Sequence, residues 1–345
     1  MTEPTSNGFF AVGRAEWALA CSRSLNAAVA YLVLARFSDR TNRITRASVH
    51  AIETHTAISR GRAAQAIELL VGARLAKKLS GGDRPTYDLP PIDRKGERDL
   101  VWLPNTLVDG VNGVRSPIDQ VREIQDAPTL RLFVELYAEQ DLVEEVGINR
   151  RVIWQKFDRQ RLADRAEYTI WGFRRAHSVV DWTSATTKVH RRNLTAEESA
   201  ANVSPGVDFF ARLDRLVGLG LVQWVPYLFE GETPEAEAMF PMVRGQGESL
   251  EERLWRASFD AATWMLEEGA NARANEHGLD YRVAMPRHLS NVALIGVARL
   301  LHRPRTSRTA AWWANYTATG ERWLDRFARM AKTALAGPVK VKAAG

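Results

Sequence analysis

A single cysteine, Cys21, stands in a chain of 345 residues. One thiol cannot close an intramolecular disulfide or supply a zinc-finger framework, and it fits a reducing, cytoplasmic setting. No apolar run reaches the length of about 18 residues that a membrane-spanning helix needs. Met1 to Gly13 lacks the basic start and apolar centre of a secretory leader. There is no Walker A loop and no Gly-x-Gly-x-x-Gly turn, so nucleotide hydrolysis is not expected. The seven histidines are scattered. His50 and His55 are too far apart in sequence to share a helical face, and with Glu53 they do not form the zinc-protease pattern. No catalytic residue, metal or cofactor is therefore expected, and the chain reads as a non-enzyme.

What is present is basic charge, unevenly placed. The net charge is only +6. Residues 36–84 alone carry +6, residues 149–192 carry +7 and residues 299–345 carry +8, so the remainder is strongly acidic. Such a division presents basic surfaces to a polyanion. Arginine supplies 39 of the 47 basic residues. With abundant alanine, that excess reflects a GC-rich coding sequence as readily as function.

The most informative stretch runs from Ile44 to Leu89. Val49 and Ile52 share a face of a short helix over about Arg46–Thr54, with Thr45 or Ser48 as its cap. His55–Ile58 has no periodicity and reads as a turn. Ser59 stands at the cap of a second helix, in which Ala63, Ile67 and Leu70 form an inward stripe. Arg60, Arg62, Ala64, Gln65 and Glu68 are left outside. Arginine can fork onto guanine and glutamine onto adenine, so this face carries the chemistry of base reading. Gly61 removes a side chain there, which suits close approach of a partner. Two strand-like pieces, Leu75–Leu79 and Thr86–Leu89, flank a Gly-Gly loop and bring Lys77, Lys78 and Arg84 near a phosphate backbone.

From about Ala27 to Leu89 this order resembles bacterial winged helix-turn-helix DNA-binding domains, including those of transcription regulators and plasmid replication initiators. The resemblance implies that Ser59, Arg60, Arg62 and Gln65 lie at recognition-helix positions and Arg84 on the wing. It covers only this part of the chain.

Elsewhere Ala27–Phe37 is apolar all round and reads as a buried first helix capped by Ser24. A polar, Pro-containing linker follows Pro90. Leu130, Phe133, Val134 and Tyr137 mark a helix opened by Asp126 and Pro128. Basic and aromatic residues interleave from Asn149 to Arg192, which suits nucleic acid and equally an ordinary core stripe with a wet side. Thr183–Ser204 reads as exposed and mobile. A helix opened by Ser204-Pro205, with Phe209, Phe210, Leu213, Leu216 and Val217 as its apolar stripe, then Leu-Gly-Leu and a strand over Val222–Phe229, looks like the back half of a second winged helix. Leu289–Leu301 reads as a further apolar helix, and His302–Arg308 as a basic loop whose Arg303 and Arg305 suit phosphate. Trp312, Trp313, Tyr316, Trp323, Phe327 and Met330 fall on a last long helix as core or oligomer seam.

The fold class expected is thus mainly α with small β-hairpin wings. A winged helix-turn-helix domain would occupy residues 1–92, a second winged-helix-like domain with a basic insertion residues 100–245, a helical domain residues 248–336, and a basic tail residues 337–345. The function expected is sequence-specific binding of double-stranded DNA, as a transcription regulator or a replication or partition initiator of a mobile element. The alternative is a protein-interaction adaptor that uses winged helices as scaffold. A homodimer is left open, and no membrane partner is expected.

Overall fold

The computed structural model describes residues 8–82, 85–92, 99–111, 114–141, 147–193, 195–201, 207–233, 235–303 and 307–335. In chain order the first elements are β1 (Phe9–Gly13), α1 (Arg14–Arg23), α2 (Leu25–Arg36), β2 (Ile44–Thr45), α3 (Val49–Thr56) and α4 (Arg60–Gly72). They are followed by β3 (Lys77–Ser80), β4 (Thr86–Asp88), β5 (Leu100–Pro104), α5 (Thr106–Asp109), α6 (Pro117–Glu123), α7 (Ala127–Ala138), β6 (Ile153–Arg165) and β7 (Tyr168–Val180). Then come α8 (Ala185–His190), α9 (Ala196–Ala200), α10 (Val207–Gly218), β8 (Val222–Phe229), β9 (Ala238–Pro241), α11 (Leu250–Met265) and α12 (Glu268–Glu276). The last are β10 (Tyr281–Pro286), β11 (Ala293–Leu300) and α13 (Ser307–Leu335). The chain divides into two compact units, one of residues 1–142, 182–223 and 300–310, the other of residues 143–181, 224–299 and 311–345.

The first unit is built round α2. Every residue from Ala27 to Arg36 in this helix is buried, as its unbroken apolar character requires. The Ser24 side chain accepts from the Ala27 amide and caps it. α1, α4, α7 and β1 pack on it from different sides. Its one charge, Arg36, donates through Nε (3.1 Å) and Nη2 (2.7 Å) to Asp109 of α5. β2, β4 and β3 form a three-stranded sheet in that order, and β1 pairs antiparallel with β5.

A second polar network lies within the same unit. Thr186, Thr187 and His190 are buried, although the Ser/Thr-rich composition predicts an exposed, mobile segment there. An arginine can only donate, so Arg212 Nη1 donates to His190 Nδ1 at 2.9 Å, and His190 Nε2–H donates to Glu135 at 3.0 Å. Arg131 Nε donates to the other oxygen of Glu135 at 2.8 Å. The hydroxyl of Thr186 donates to Glu139 at 2.7 Å. These hydroxyls and rings bury because each finds a partner inside, which composition alone does not reveal.

The second unit overturns the expected fold class. The chain is 46% helical and 26% strand and contains a six-stranded, curled antiparallel sheet, so it is not mainly α with small hairpin wings. The strand order is β10-β7-β6-β11-β8-β9. The stretch expected as a basic insertion is the long hairpin of β6 and β7, paired from Ile153–Val180 to Arg165–Tyr168. The strand expected as part of a second wing, β8, is a member of this sheet. The apolar helix expected over Leu289–Leu301 is strand β11. All eight of its residues are buried because both faces are covered: Leu294 joins the core that includes Phe157, Phe240 and Phe327, while Ala293, Ile295 and Val297 join Val225, Tyr227 and Phe229. A strand buried on both faces loses its alternation and reads like a short buried helix.

α11 and α13 supply the helical side of the first of these cores, through Leu254, Ala261, Phe327 and Met330. Gly320, in mid-helix, packs close to α11: an added Cβ would stand 2.7 Å from the Leu250 side chain, which would have to shift. Arg299 forks onto the buried Glu251 at 2.5 and 2.9 Å, and the Tyr316 hydroxyl donates to the same carboxylate. No helix among the described residues is long and apolar enough to cross a membrane.

Burial opposes the charge of Glu135, but hydrogen bonds from His190 and Arg131 outweigh it and hold its carboxyl below the usual glutamate range. A depressed folded pKa contributes stability above the unfolded glutamate value of about 4.3, and that contribution is lost as pH falls through the lower folded value. Glu135→Ala is therefore expected to cost about 3 kcal/mol at neutral pH by stranding its buried partners. Urea denaturation should show this deficit, and it should shrink as the pH is taken below about 4. An unchanged midpoint at neutral pH would remove the network as a stabilising element.

Candidate nucleic-acid interface

The segment singled out in the sequence folds as a helix, a short strand, two further helices and a hairpin. α3 and α4 are joined by a tight turn at Ala57, Ile58 and Ser59. Ala57 takes a left-handed conformation (φ +52°, ψ +18°), and its amide bonds the Glu53 carbonyl to close α3. Ile58 is buried beneath the turn, and its amide reaches the Thr56 hydroxyl at 3.4 Å. Thr45 is buried, and its hydroxyl accepts from the Ala47 amide rather than capping α3. Ser48 stands at the α3 cap without a side-chain cap bond.

On α4, Ala63, Ala66, Ile67 and Leu70 are buried, and Arg60, Arg62, Gln65 and Glu68 are exposed. The 3.6-residue period thus sorts α4 into an apolar inner face and a polar outer face. Ser59 begins the helix through its carbonyl, which accepts from the Ala63 amide at 2.9 Å. Its side chain makes no capping bond. Arg60 Nε donates to Glu53 Oε2 at 2.8 Å, and His50 Nδ1 lies 3.6 Å from the same carboxylate oxygen. The hydrogen bond from Arg60 lowers the pKa of Glu53. This contact across the turn engages Nε and not the two terminal nitrogens, which a fork onto guanine would use. Arg62 makes no ion pair among the described residues.

The hairpin presents Lys77 and Lys78, both exposed on β3. Lys77 is paired in register with Asp88 and Lys78 with Tyr87. Asp88 is also held by Arg43, at 2.5 Å to Nε and 2.9 Å to Nη2. Arg43 and Arg46, which no motif singles out, are also exposed beside this sheet; their place in the net +6 of residues 36–84 is the signal that marks them. Arg84 and Arg305 lie outside the described residues. Arg303 is half-buried, with Nε donating to the Leu300 carbonyl at 3.3 Å, so it does not stand on an open basic face.

Glu53 is engaged by Arg60, and no group of three or more His, Cys, Asp or Glu side chains that could hold a metal occurs among the described residues. Burial pushes the Cys21 thiol well above its ordinary range, so it is a protonated thiol and not a ready nucleophile.

Comparison with protein-family models, with curated proteins and with solved structures finds no match for this chain.

Two substitutions separate backbone from chemistry at this surface. Ala57→Gly relieves a left-handed alanine at an exposed turn and is expected to raise stability by about 0.5–1 kcal/mol. Gly61 is exposed in the first turn of α4, and an added Cβ meets nothing within 4 Å. Gly61→Ala is expected to add about 0.5–1 kcal/mol from helix propensity alone. Thermal unfolding reads both, and a loss of stability in either would mean that the local geometry is not as described.

Proposed function

We propose that this chain is a sequence-specific double-stranded DNA-binding protein in which α4 enters the major groove and the β3–β4 hairpin lies along the phosphate backbone. The observation that carries the reading is the outer face of α4. Arg60, Arg62 and Gln65 are all exposed in its first two turns, Gln65 opposite the buried stripe and the two arginines on its flanks, beside a glycine with open space above it. Arginine and glutamine are the side chains that recognise guanine and adenine edges bidentately. Free amides at the start of α4, where no side chain caps them, suit a phosphate oxygen. Lys77 and Lys78 would neutralise phosphates without reading sequence. The role served, transcription regulation or replication initiation, follows from the arrangement of sites on DNA rather than from this surface.

One feature favours a second reading, that of a protein-interaction module. Leu69 (39% exposed), Val71 (38%) and Leu79 (51%) place apolar side chains on α4 and the hairpin. Binding to random duplex at low salt discriminates the two, since phosphate contacts strengthen there and apolar docking does not.

Selection of bound fragments from random duplex DNA is expected to return a defined motif. Arg60→Ala with Arg62→Ala should cost about 1–3 kcal/mol for each base edge no longer read on that motif, while leaving weak non-specific binding in place. Gly61→Ala should weaken the same complex despite stabilising the fold. Equal affinity of the double variant and the wild type for every duplex would refute the assignment of α4.

A further inference from the structure

Within the second unit, α13 and the β6–β7 turn border a groove that the reading above does not use. It has a volume of about 740 Å³ and is lined by Tyr168, Trp323 and three arginines, Arg322, Arg326 and Arg329. An adjoining depression of about 380 Å³ shares Tyr168 and Arg326 and adds Arg287 and His288. The three arginines of α13 recur at four- and three-residue steps, so they stand on one face of the helix. Arg326 lies 4.9 Å over the Trp323 ring, a cation–π contact. Arg322 donates to the Thr319 hydroxyl at 2.8 Å.

The charge of this groove is not balanced from within. Elsewhere in the same unit arginines are given carboxylates: Arg165 to Glu267 at 2.7 Å, Arg256 to Glu252 at 3.2 Å, Arg299 to Glu251 at 2.5 Å and Arg253 to Glu321 at 3.1 Å. Arg287, Arg326 and Arg329 form no ion pair among the described residues, and the acidic residues lining the two depressions are Asp325 and Glu167. Four arginines against two carboxylates leave a net positive trough, longer than one phosphate needs, with a half-buried tyrosine ring at its centre.

We propose that this trough binds single-stranded nucleic acid, with successive phosphates on Arg322, Arg326, Arg329 and Arg287 and an unstacked base against Tyr168. Arginine neutralises phosphate while ring and guanidinium planes stack bases, and the combination is tolerant of sequence. A duplex cannot offer an unstacked base to a recessed ring. The site rests on residues of the second unit alone and stands whether or not α4 reads duplex DNA.

The test uses the full chain carrying Arg60→Ala, Arg62→Ala and Gln65→Ala, which removes the base-reading side chains of α4, and a fluorescein-labelled oligothymidylate of about a dozen nucleotides. Anisotropy should report binding. Arg326→Ala with Arg329→Ala should weaken it at least tenfold and flatten the log–log salt dependence by about 1.4, or 0.7 for each phosphate no longer neutralised. Tyr168→Ala should weaken it about tenfold with the salt slope unchanged, because stacking carries no counterions. Arg329→Glu, an exposed change that leaves the core intact, should weaken it as strongly as the double variant. Undiminished affinity in the arginine variants overturns the site. Equal competition by an unlabelled duplex, by a thymidine mononucleotide or by pyrophosphate at matched charge concentration overturns the single-strand assignment.

Discussion

The first unit depends on one constraint, a helix with no side that can face water. α2 is apolar all round, so neighbours must cover it in every direction, and α1, α4, α7 and β1 do so. Burial of that many aliphatic side chains dominates the energetics of a unit this size. It also dictates where the outer face of α4 points, because Ala63, Ile67 and Leu70 have to turn inward to complete the cover. Arg36 at the end of α2 satisfies the same constraint electrostatically. A guanidinium carried into that interior is tolerable only with a carboxylate on it, and Asp109 provides one.

The polar clusters of the two units follow one rule with different outcomes. Glu135 is surrounded by His190, Arg131 and, one step further, Arg212, so each donor is matched and the network binds α7, α8 and α10 together. Glu251, Arg299 and Tyr316 do the same for α11, β11 and α13. At the α3–α4 turn the rule acts on the surface: Glu53 steadies Arg60 without consuming its terminal nitrogens. In the trough beside α13 the matching is incomplete, with four arginines against two carboxylates.

Parts of this were readable in the sequence for definite reasons. α4 and α7 showed period, and helices with one wet face announce themselves, while α2 was marked by an unbroken apolar run behind Ser24. The split of α4 into Arg60, Arg62 and Gln65 outside and Ala63, Ile67 and Leu70 inside was legible from spacing alone. The six-stranded sheet was not. β11 has both faces covered and so no alternation, while β6 and β7 carry arginines on exposed and half-buried positions alike, which disguises their pleat. His190 and Thr186 looked solvent-facing because hydroxyl-rich composition usually is; their partners, Glu135 and Glu139, lie far away in sequence. The tie between Arg60 and Glu53 crosses a turn, outside the i to i+4 window in which helical pairs can be recognised.

The path of the chain has a consequence for how such a protein can change over time. Each unit is assembled from three separate stretches, with the polypeptide passing from one to the other five times. Neither can be lifted out by a single excision or acquired by a single insertion, as modules joined by one linker can. A recombination point placed between residues 143 and 310 severs both units at once. The surface of α4 and the curled sheet are thus bound to a common inheritance, and new specificities must arise by substitution on their faces rather than by exchange of parts.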